Sequence, residues 1–442
     1  MSLPQVKHLA VGERISALSL LPAWPEENWR RTDPELFFLP AGDVVNNFGQ
    51  SVLGAHLASS PYKVQFKVLS ADALQEKISG LLRTTQPSAA RVATDEPADV
   101  SRVVLLELGN GGLVVSSCAQ SDSWVGRLEI GSRPSRPESV LRDSAVCAAL
   151  AERLQVSAPS ELIVRIPRFE HTPVVLVAIE CEPAFAQSYA NVTLDVADGA
   201  TAELAVLHGS ASFSYHRLTI RAGRGSSVTQ LWAHLGNEAD VPAHMLFERK
   251  VILSTQAQFN DASVFVPSSV LRVVSNVTPE GEGAMAQCGT AIVASGYSVI
   301  DYEPLQDHTH ANSQTHLRAK VIAGQRGRAV FQGLVNVERE AVGTNASQIN
   351  KNLVLSKRAR VDSMPRLRIL PDEVSCKHGS ATGEIDSKQI HYLMTRGFSE
   401  IEAKELVVRG FVLEGLLQLP ESSPLSSWAS NILSQGLDRV LK

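Results

Sequence analysis

Two short clusters carry the side chains best suited to chemistry. In Asp307-His-Thr-His310, with His316 further on, two imidazoles stand at i and i+2. An extended backbone would place His308 and His310 on one face, where paired imidazoles bind zinc or iron. The competing reading is a polar turn with surface histidines. Cys376-Lys-His378 repeats the spacing with a thiol and an imidazole. Together they would offer a soft and a borderline ligand to a metal, or to a site shared between subunits. Two ligands leave a four-coordinate ion incomplete, so another segment or chain would have to supply the rest. The alternative is a buried structural pair. Other signatures are missing: no G-x-x-x-x-G-K-S/T phosphate loop, G-x-G-x-x-G, H-E-x-x-H, G-x-S-x-G or EF-hand loop occurs. The five cysteines (Cys118, Cys147, Cys181, Cys288, Cys376) form no C-x-x-C pair, so neither a disulfide framework nor a four-ligand zinc site is indicated.

The whole chain frames these clusters. Its 442 residues, 44% apolar and 20% charged, describe a globular protein of two or three domains. A net charge of −5 is poorly suited to neutralising phosphates, so nucleic acid is not an expected partner. There is no run of 18 apolar residues, and Met1–Arg14 does not read as a secretory signal. The expected setting is the cytoplasm, without a membrane.

The elements fall into three textures. The first third is mixed: a proline-punctuated stretch from Pro22 to Pro34, a helix over Ala71–Arg83, and a surface loop from Thr84 to Ser101. Strands Val103–Leu108 and Leu113–Ser117 follow, joined across Gly109-Asn-Gly-Gly112, then a helix over Ser139–Leu154. From about Ser160, short β-type runs dominate, ending in corners such as Asp198-Gly-Ala200, Ala222-Gly-Arg-Gly225 and Ala323-Gly-Gln-Arg-Gly327. Gly199 and Gly223 lie roughly one solenoid coil apart. Bends that continue forward favour a parallel β-helix, with a sandwich or barrel as the alternative.

The final sixty residues return to helical period. Asp386 with Gln389, and Ser399 with Glu402, resemble capping boxes. Gly397 would stop the first helix and Pro420 the second. Glu400–Lys404 and Glu405–Arg409 are favourable i,i+4 pairs. The apolar side is broad, spanning Ile401, Ala403, Leu406, Val407, Phe411, Val412, Leu413, Leu416 and Leu417. Either the helix is buried within a C-terminal bundle, or part of this surface docks another protein.

An ordered series of motifs then resembles one family. Gly327-Arg-Ala-Val-Phe-Gln-Gly333, Gln348-Ile-Asn-Lys-Asn-Leu353, Val361-Asp-Ser-Met-Pro365, Cys376-Lys-His-Gly-Ser-Ala-Thr382, Gln389-Ile-His-Tyr-Leu393 and Arg396-Gly397 are similar to the SufB/SufD family, scaffold components of the SUF iron–sulfur cluster assembly system. The strongest part runs from about Asp307 to Leu419, and Glu26–Arg30 resembles the N-terminal segment of SufD proteins. SufB proteins carry a cysteine where this chain has Val361, and acidic residues flank their counterpart of His378, where Lys377 and Gly379 stand here. A valine supplies no thiolate. The resemblance is therefore to the SufD branch.

That resemblance implies a mainly β fold: a right-handed parallel β-helix over residues 159–383, an N-terminal mixed, largely helical region over 1–158 and a C-terminal helical region over 384–442. It implies a non-catalytic subunit in a complex of one SufB-like, two SufC-like and one SufD-like chains. The SufC-like subunits are ABC-type ATPases, so nucleotide hydrolysis would belong to that partner. Ile401, Leu406, Phe411, Leu413 and Leu417 would dock the ATPase, and the β-helices would pair with each other. Cys376 and His378 would lie near that junction, with His378 contributing to a transient iron–sulfur cluster or iron shared with the SufB-like chain. A homodimer is implied for the chain alone, and flavin is left undecided. Two further readings stay open: a SufB-type homodimeric scaffold using Cys288 or Cys376, and a β-helix enzyme acting on polysaccharide.

Overall fold

The computed structural model describes residues 64–82, 102–109, 112–118, 128–134, 160–168, 174–179, 187–209, 213–236, 243–416 and 418–441. The stretch 22–34, the loop 84–101, the expected helix 139–154, Cys147, Cys181 and Leu417 lie outside these residues.

Strand β1 (Val64–Leu69) leads into helix α1 (Ala71–Leu82). Next come β2 (Val103–Gly109), β3 (Gly112–Cys118), β4 (Glu129–Pro134), β5 (Ser160–Ile166) and β6 (Val174–Ile179). The regular coils are built from β7 (Gln187–Val196), β8 (Thr201–His208), β9 (Phe213–Ala222), β10 (Ser227–Leu235), β11 (His244–Leu253) and β12 (Gln258–Val266). They continue with β13 (Val270–Pro279), β14 (Met285–Ala294), β15 (Val299–His308), β16 (Gln314–Ala323), β17 (Arg328–Phe331) and β18 (Leu334–Val337). The last are β19 (Asn345–Val354), β20 (Arg360–Ser363), β21 (Arg366–Ile369) and β22 (Ser375–Gly383).

Successive strands alternate between two sheets. From β6 onward, β6-β8-β10-β12-β14-β16-β19-β22 lie in one sheet, and β5-β7-β9-β11-β13-β15-β17-β20 in the other, all pairing in parallel. This is the expected parallel β-helix. The expected hairpin β2–β3 is antiparallel and closes at Gly109 and Gly112; both strands extend the first sheet.

The corners repeat because each coil needs one residue in the left-handed region. Gly199, Gly225 and Gly283 have φ of 64, 62 and 70°, and Gln256 and Asn312 fill the same role at 57°. Gly223 has another reason to be small: a Cβ there would meet the Asp198 backbone nitrogen at 2.6 Å in the coil beneath.

Two apolar clusters hold the solenoid. One fills the bore, where Leu194, Leu204, Ile220, Phe259, Val273 and Ile292 meet from both sheets. The second lies outside the first sheet, where Leu231, Val264 and Val293 pack under helix α1 and the C-terminal residues Trp428, Ile432 and Leu433. Burial of both faces turns these strands into near-continuous apolar runs instead of alternating ones.

The bore also holds polar groups, many of them joined in pairs and chains. Arg249 forks onto Asp261 at 2.6 and 3.1 Å, reaches Gln230 Oε1 at 2.9 Å and lies 4.4 Å over the Trp232 ring. Beside it runs a histidine chain. Trp232 can only donate, and its Nε1–H reaches His208 Nε2 at 2.6 Å. The His208 proton must then sit on Nδ1, which faces His216 Nδ1 at 2.9 Å, so His216 carries its proton on Nε2 and donates to Ser188 Oγ at 2.8 Å. His234 Nδ1 donates to the His208 carbonyl at 2.9 Å. The bond from Trp232 requires His208 to be neutral, and the bond between the two rings requires His216 to be neutral.

Beyond the solenoid come helices α2 (Ser387–Thr395), α3 (Glu400–Leu413) and α4 (Pro424–Leu441). Asp386 caps α2 by accepting the Lys388 N–H at 2.9 Å, and Gly397, at φ 97°, ends it as expected. Ser399 and Glu402 form the reciprocal capping box on α3. That helix stops at Leu413, well before Pro420, and α4 is an element the sequence reading did not anticipate.

Candidate functional site: the open terminal coil

A solenoid must end, and its last coil keeps one free edge. Among the described residues, β20, β21 and β22 pair only inward, with β17, β18 and β19 respectively. Their outward N–H and C=O groups are available for another chain. Leu370 and Ile369, beside this edge, are among the exposed large apolar side chains.

Cys376 and His378 both lie on β22, two residues apart and therefore on one side, as the spacing predicts. Register places Cys376 over Ala346 and His378 over Gln348. Ala346, Gln348, Asn350 and Asn352 are buried while the intervening Ile349 is 38% exposed, so the even positions face the bore. Cys376 and His378 continue that inward row onto the uncovered coil. His378 is exposed. Cys376 is half-buried against the small cluster of Val335, Val337, Ala341 and Ala346. Burial pushes its thiol upward, a tendency the hydrogen bond with the Ala346 backbone opposes. The thiolate is therefore disfavoured in the isolated chain, which makes His378 the better donor. Together they remain two ligands; among the described residues no group of three or more His, Cys, Asp or Glu is arranged to hold a metal ion.

The rest of the coil is polar but uncharged inside. Val361 packs on the bore cluster and supplies no ligand. Ser380 donates to Ser363 at 2.8 Å, and Ser363 donates to Asn350 Oδ1 at 2.7 Å. Asn352 Nδ2 reaches Asn350 Oδ1 at 2.8 Å and Thr382 Oγ1 at 3.0 Å. Charges stay at the flank, where Arg360 and Arg328 hold Asp362 at 3.0 and 3.3 Å. Sequence reasoning missed this amide row because Gln-Ile-Asn-Lys-Asn reads as an exposed strand.

The first histidine cluster is not a pair on one face. β15 ends at His308, which is buried and bonded to Ser313 Oγ and Thr315 Oγ1, each at 2.7 Å. His310 sits in the following turn, exposed, beside Thr309. The backbone turns between them, so i,i+2 spacing does not align the rings; His310 is a surface histidine in a polar turn, whereas His308 is buried. Burial lowers His308 to about 4, keeping it neutral as a hydroxyl partner. His316 is held by Ser347 Oγ at 2.9 Å. Cys288 lies in the bore, where burial and the neighbouring Asp261 push its thiol well up. It does not offer a ready thiolate.

The expected docking stripe is divided. Ala403, Val408 and Val412 are buried, and Phe411 packs beneath the Lys320 ammonium, 4.5 Å from its ring centroid. Ile401 is 75% exposed, and Leu406 and Leu413 also face solvent. Tyr392, Met394 and Phe398 on the adjoining helix and turn are exposed too, apolar positions the sequence reading had not included.

The comparisons with known proteins concern these same regions. The family model for the SUF system FeS cluster assembly SufBD core domain matches residues 179–411. The chain is 28% identical over 225 residues to the iron-sulfur cluster assembly protein SufD of Escherichia coli strain K12, covering 50% of this chain and 52% of that protein. It is 33% identical over 192 residues to an iron-sulfur cluster assembly SufBD family protein of Mycobacterium leprae, covering 42% and 48%. With the iron-sulfur cluster assembly protein SufD of Bacillus subtilis it shares 30% identity over 140 residues, 32% of each chain. These matches span about half the length of the curated relatives or less. The family match takes in more than half of the 442 residues, from β6 to α3. The chain belongs to the SufB/SufD family.

Proposed function

We propose that this protein is a non-catalytic scaffold subunit in SUF-type iron–sulfur cluster assembly. The observation that carries the reading is the open terminal coil, which presents free strand edges together with an exposed inward-row imidazole. A SufB-like chain would satisfy the edges by strand addition, burying Ile369 and Leu370. Its thiolate would join His378, with Cys376 nearby, to complete the donor set around iron or a nascent cluster, which is cargo and not a resident cofactor. Two SufC-like ATPases would supply nucleotide hydrolysis, one docking on this chain through Ile401, Leu406, Phe411, Leu413 and Leu417. The division into residues 1–158, 159–383 and 384–442 belongs to the same proposal, as does a cytoplasmic setting. No described helix is long and apolar enough to cross a membrane.

Co-expression with SufB-like and SufC-like chains tests the reading. The expected result is a complex of one SufB-like, two SufC-like and one copy of this chain. His378→Ala should leave that complex assembled with reduced iron and sulfide. A chain that stays apart from both partners would refute the proposal, and unchanged iron content in His378→Ala would remove His378 from the site.

A further inference from the structure

One motif has no role in the reading above: Gln348-Ile-Asn-Lys-Asn352. Its three amides form the first polar row beneath the open coil, and each lies under one inward residue of β22: Gln348 under His378, Asn350 under Ser380, Asn352 under Thr382. Two of these couplings are made. Asn352 bonds Thr382 directly, and Asn350 holds Ser380 through Ser363. Gln348 is the exception. It is 0% exposed, and neither its Oε1 nor its Nε2 has a hydrogen-bond partner.

A buried amide left in that state carries an uncompensated desolvation cost at both polar atoms. Inward along the same column lies Leu317, which offers nothing polar. Outward lies His378, whose exposed ring makes no hydrogen bond with the described residues. The space for the amide is built in. Gly333 stands across the bore, and a Cβ there would collide with Gln348 Nε2. Gly333 is not among the positive-φ glycines, so room for the amide, not backbone conformation, explains it.

We propose that Gln348 is the positioning residue for His378: its amide oxygen accepts the N–H of one imidazole nitrogen and leaves the lone pair of the other facing the open end. The arrangement is the one that prepares a histidine as a ligand, because the bond made by one ring nitrogen decides which nitrogen is free. Neighbouring strands are about 4.8 Å apart, so rotation of the exposed ring spans the gap without backbone movement. The inference rests on the reading of His378 as a donor, but its test does not.

The test uses the full chain labelled with 15N-histidine, recorded at about pH 9, well above the ordinary imidazole range. The chain has 12 histidines, and the spectrum of His378→Gln identifies the pair that belongs to His378. In the wild type the two ring nitrogens should show the well-separated shifts of a single tautomer. Gln348→Leu, the residue type already present at 317 in the same column, should collapse them towards the averaged values of a free imidazole. Gln348→Glu keeps an acceptor and should restore the separation. Gln348→Met gives the same readout as leucine should the branched side chain fail to pack. Identical His378 shifts in the wild type and in the leucine or methionine variant overturn the inference. Should His378→Ala leave the iron content of the complex intact while the tautomer still follows residue 348, the ligand role falls and the positioning stands.

Discussion

Acid should weaken this fold through the histidine chain in its bore, and by a calculable amount. His208, His216 and His234 are all but inaccessible, at 4, 0 and 1% exposure. Burial lowers His216 to about 3 and His234 to about 4; Arg439 on α4 adds to the effect on His234. Burial lowers His208 well below its ordinary value, helped by His216 and His234. The folded state therefore holds neutral rings, whereas the unfolded chain takes up protons near the ordinary value of about 6.5. Below that pH the unfolded state binds more protons, so stability is fully present above about 6.5 and is lost as pH falls towards the folded values. Each ring contributes a slope approaching about 1.4 kcal/mol per pH unit. Between pH 6.5 and 5 the loss is about 1–2 kcal/mol per ring, or on the order of 5 kcal/mol for three. That is comparable to the whole stability of many domains. Guanidinium unfolding followed by circular dichroism at pH 7 and 5 measures it. His234→Phe, which places a second phenyl ring near Phe247, should remove about a third of the pH dependence. Equal midpoints at the two pH values, or an unaltered dependence in His234→Phe, would refute the account.

Three other outcomes are expected. Gly333→Ala forces a methyl group into the Gln348 amide and should lower stability by about 1–3 kcal/mol in chemical denaturation. Ser399→Ala removes the acceptor of the Glu402 N–H and half of the capping box on α3; about 0.5–2 kcal/mol should be lost, read by thermal melting. Ile401→Glu or Leu413→Glu, at exposed positions, should leave the melting temperature of the isolated chain unchanged while abolishing co-purification of the SufC-like subunit.

Much of the solenoid could be read from its residues because strand and corner both leave local marks. Strands Val103–Leu108 and Leu113–Ser117 fall within a residue of β2 and β3, and Asp198-Gly-Ala200 marks its left-handed corner. The C-terminal caps were equally plain, since Ser399 and Glu402 satisfy each other within one turn. What escaped is set by distant contacts. In β10 and β12 the expected alternation is blurred because one face fills the bore and the other packs under α4. At β19 the usual rule inverts: Gln348 is buried and Ile349 exposed, so polarity pointed the wrong way. His308 and His310 looked paired only because nothing local showed that the strand ends between them.

Helix α4 bears on how the molecule withstands a pull. It does not rest on the terminal coil; its apolar side packs against β10, β12 and β14 in the middle of the stack, and Gln435 Nε2 ties it to the Leu82 carbonyl at the end of α1. A stack of rungs is easiest to peel from its last rung. Load applied to the C-terminal helices would enter mid-stack instead and spread as shear over several rungs, sparing the rim that carries His378 from being unzipped.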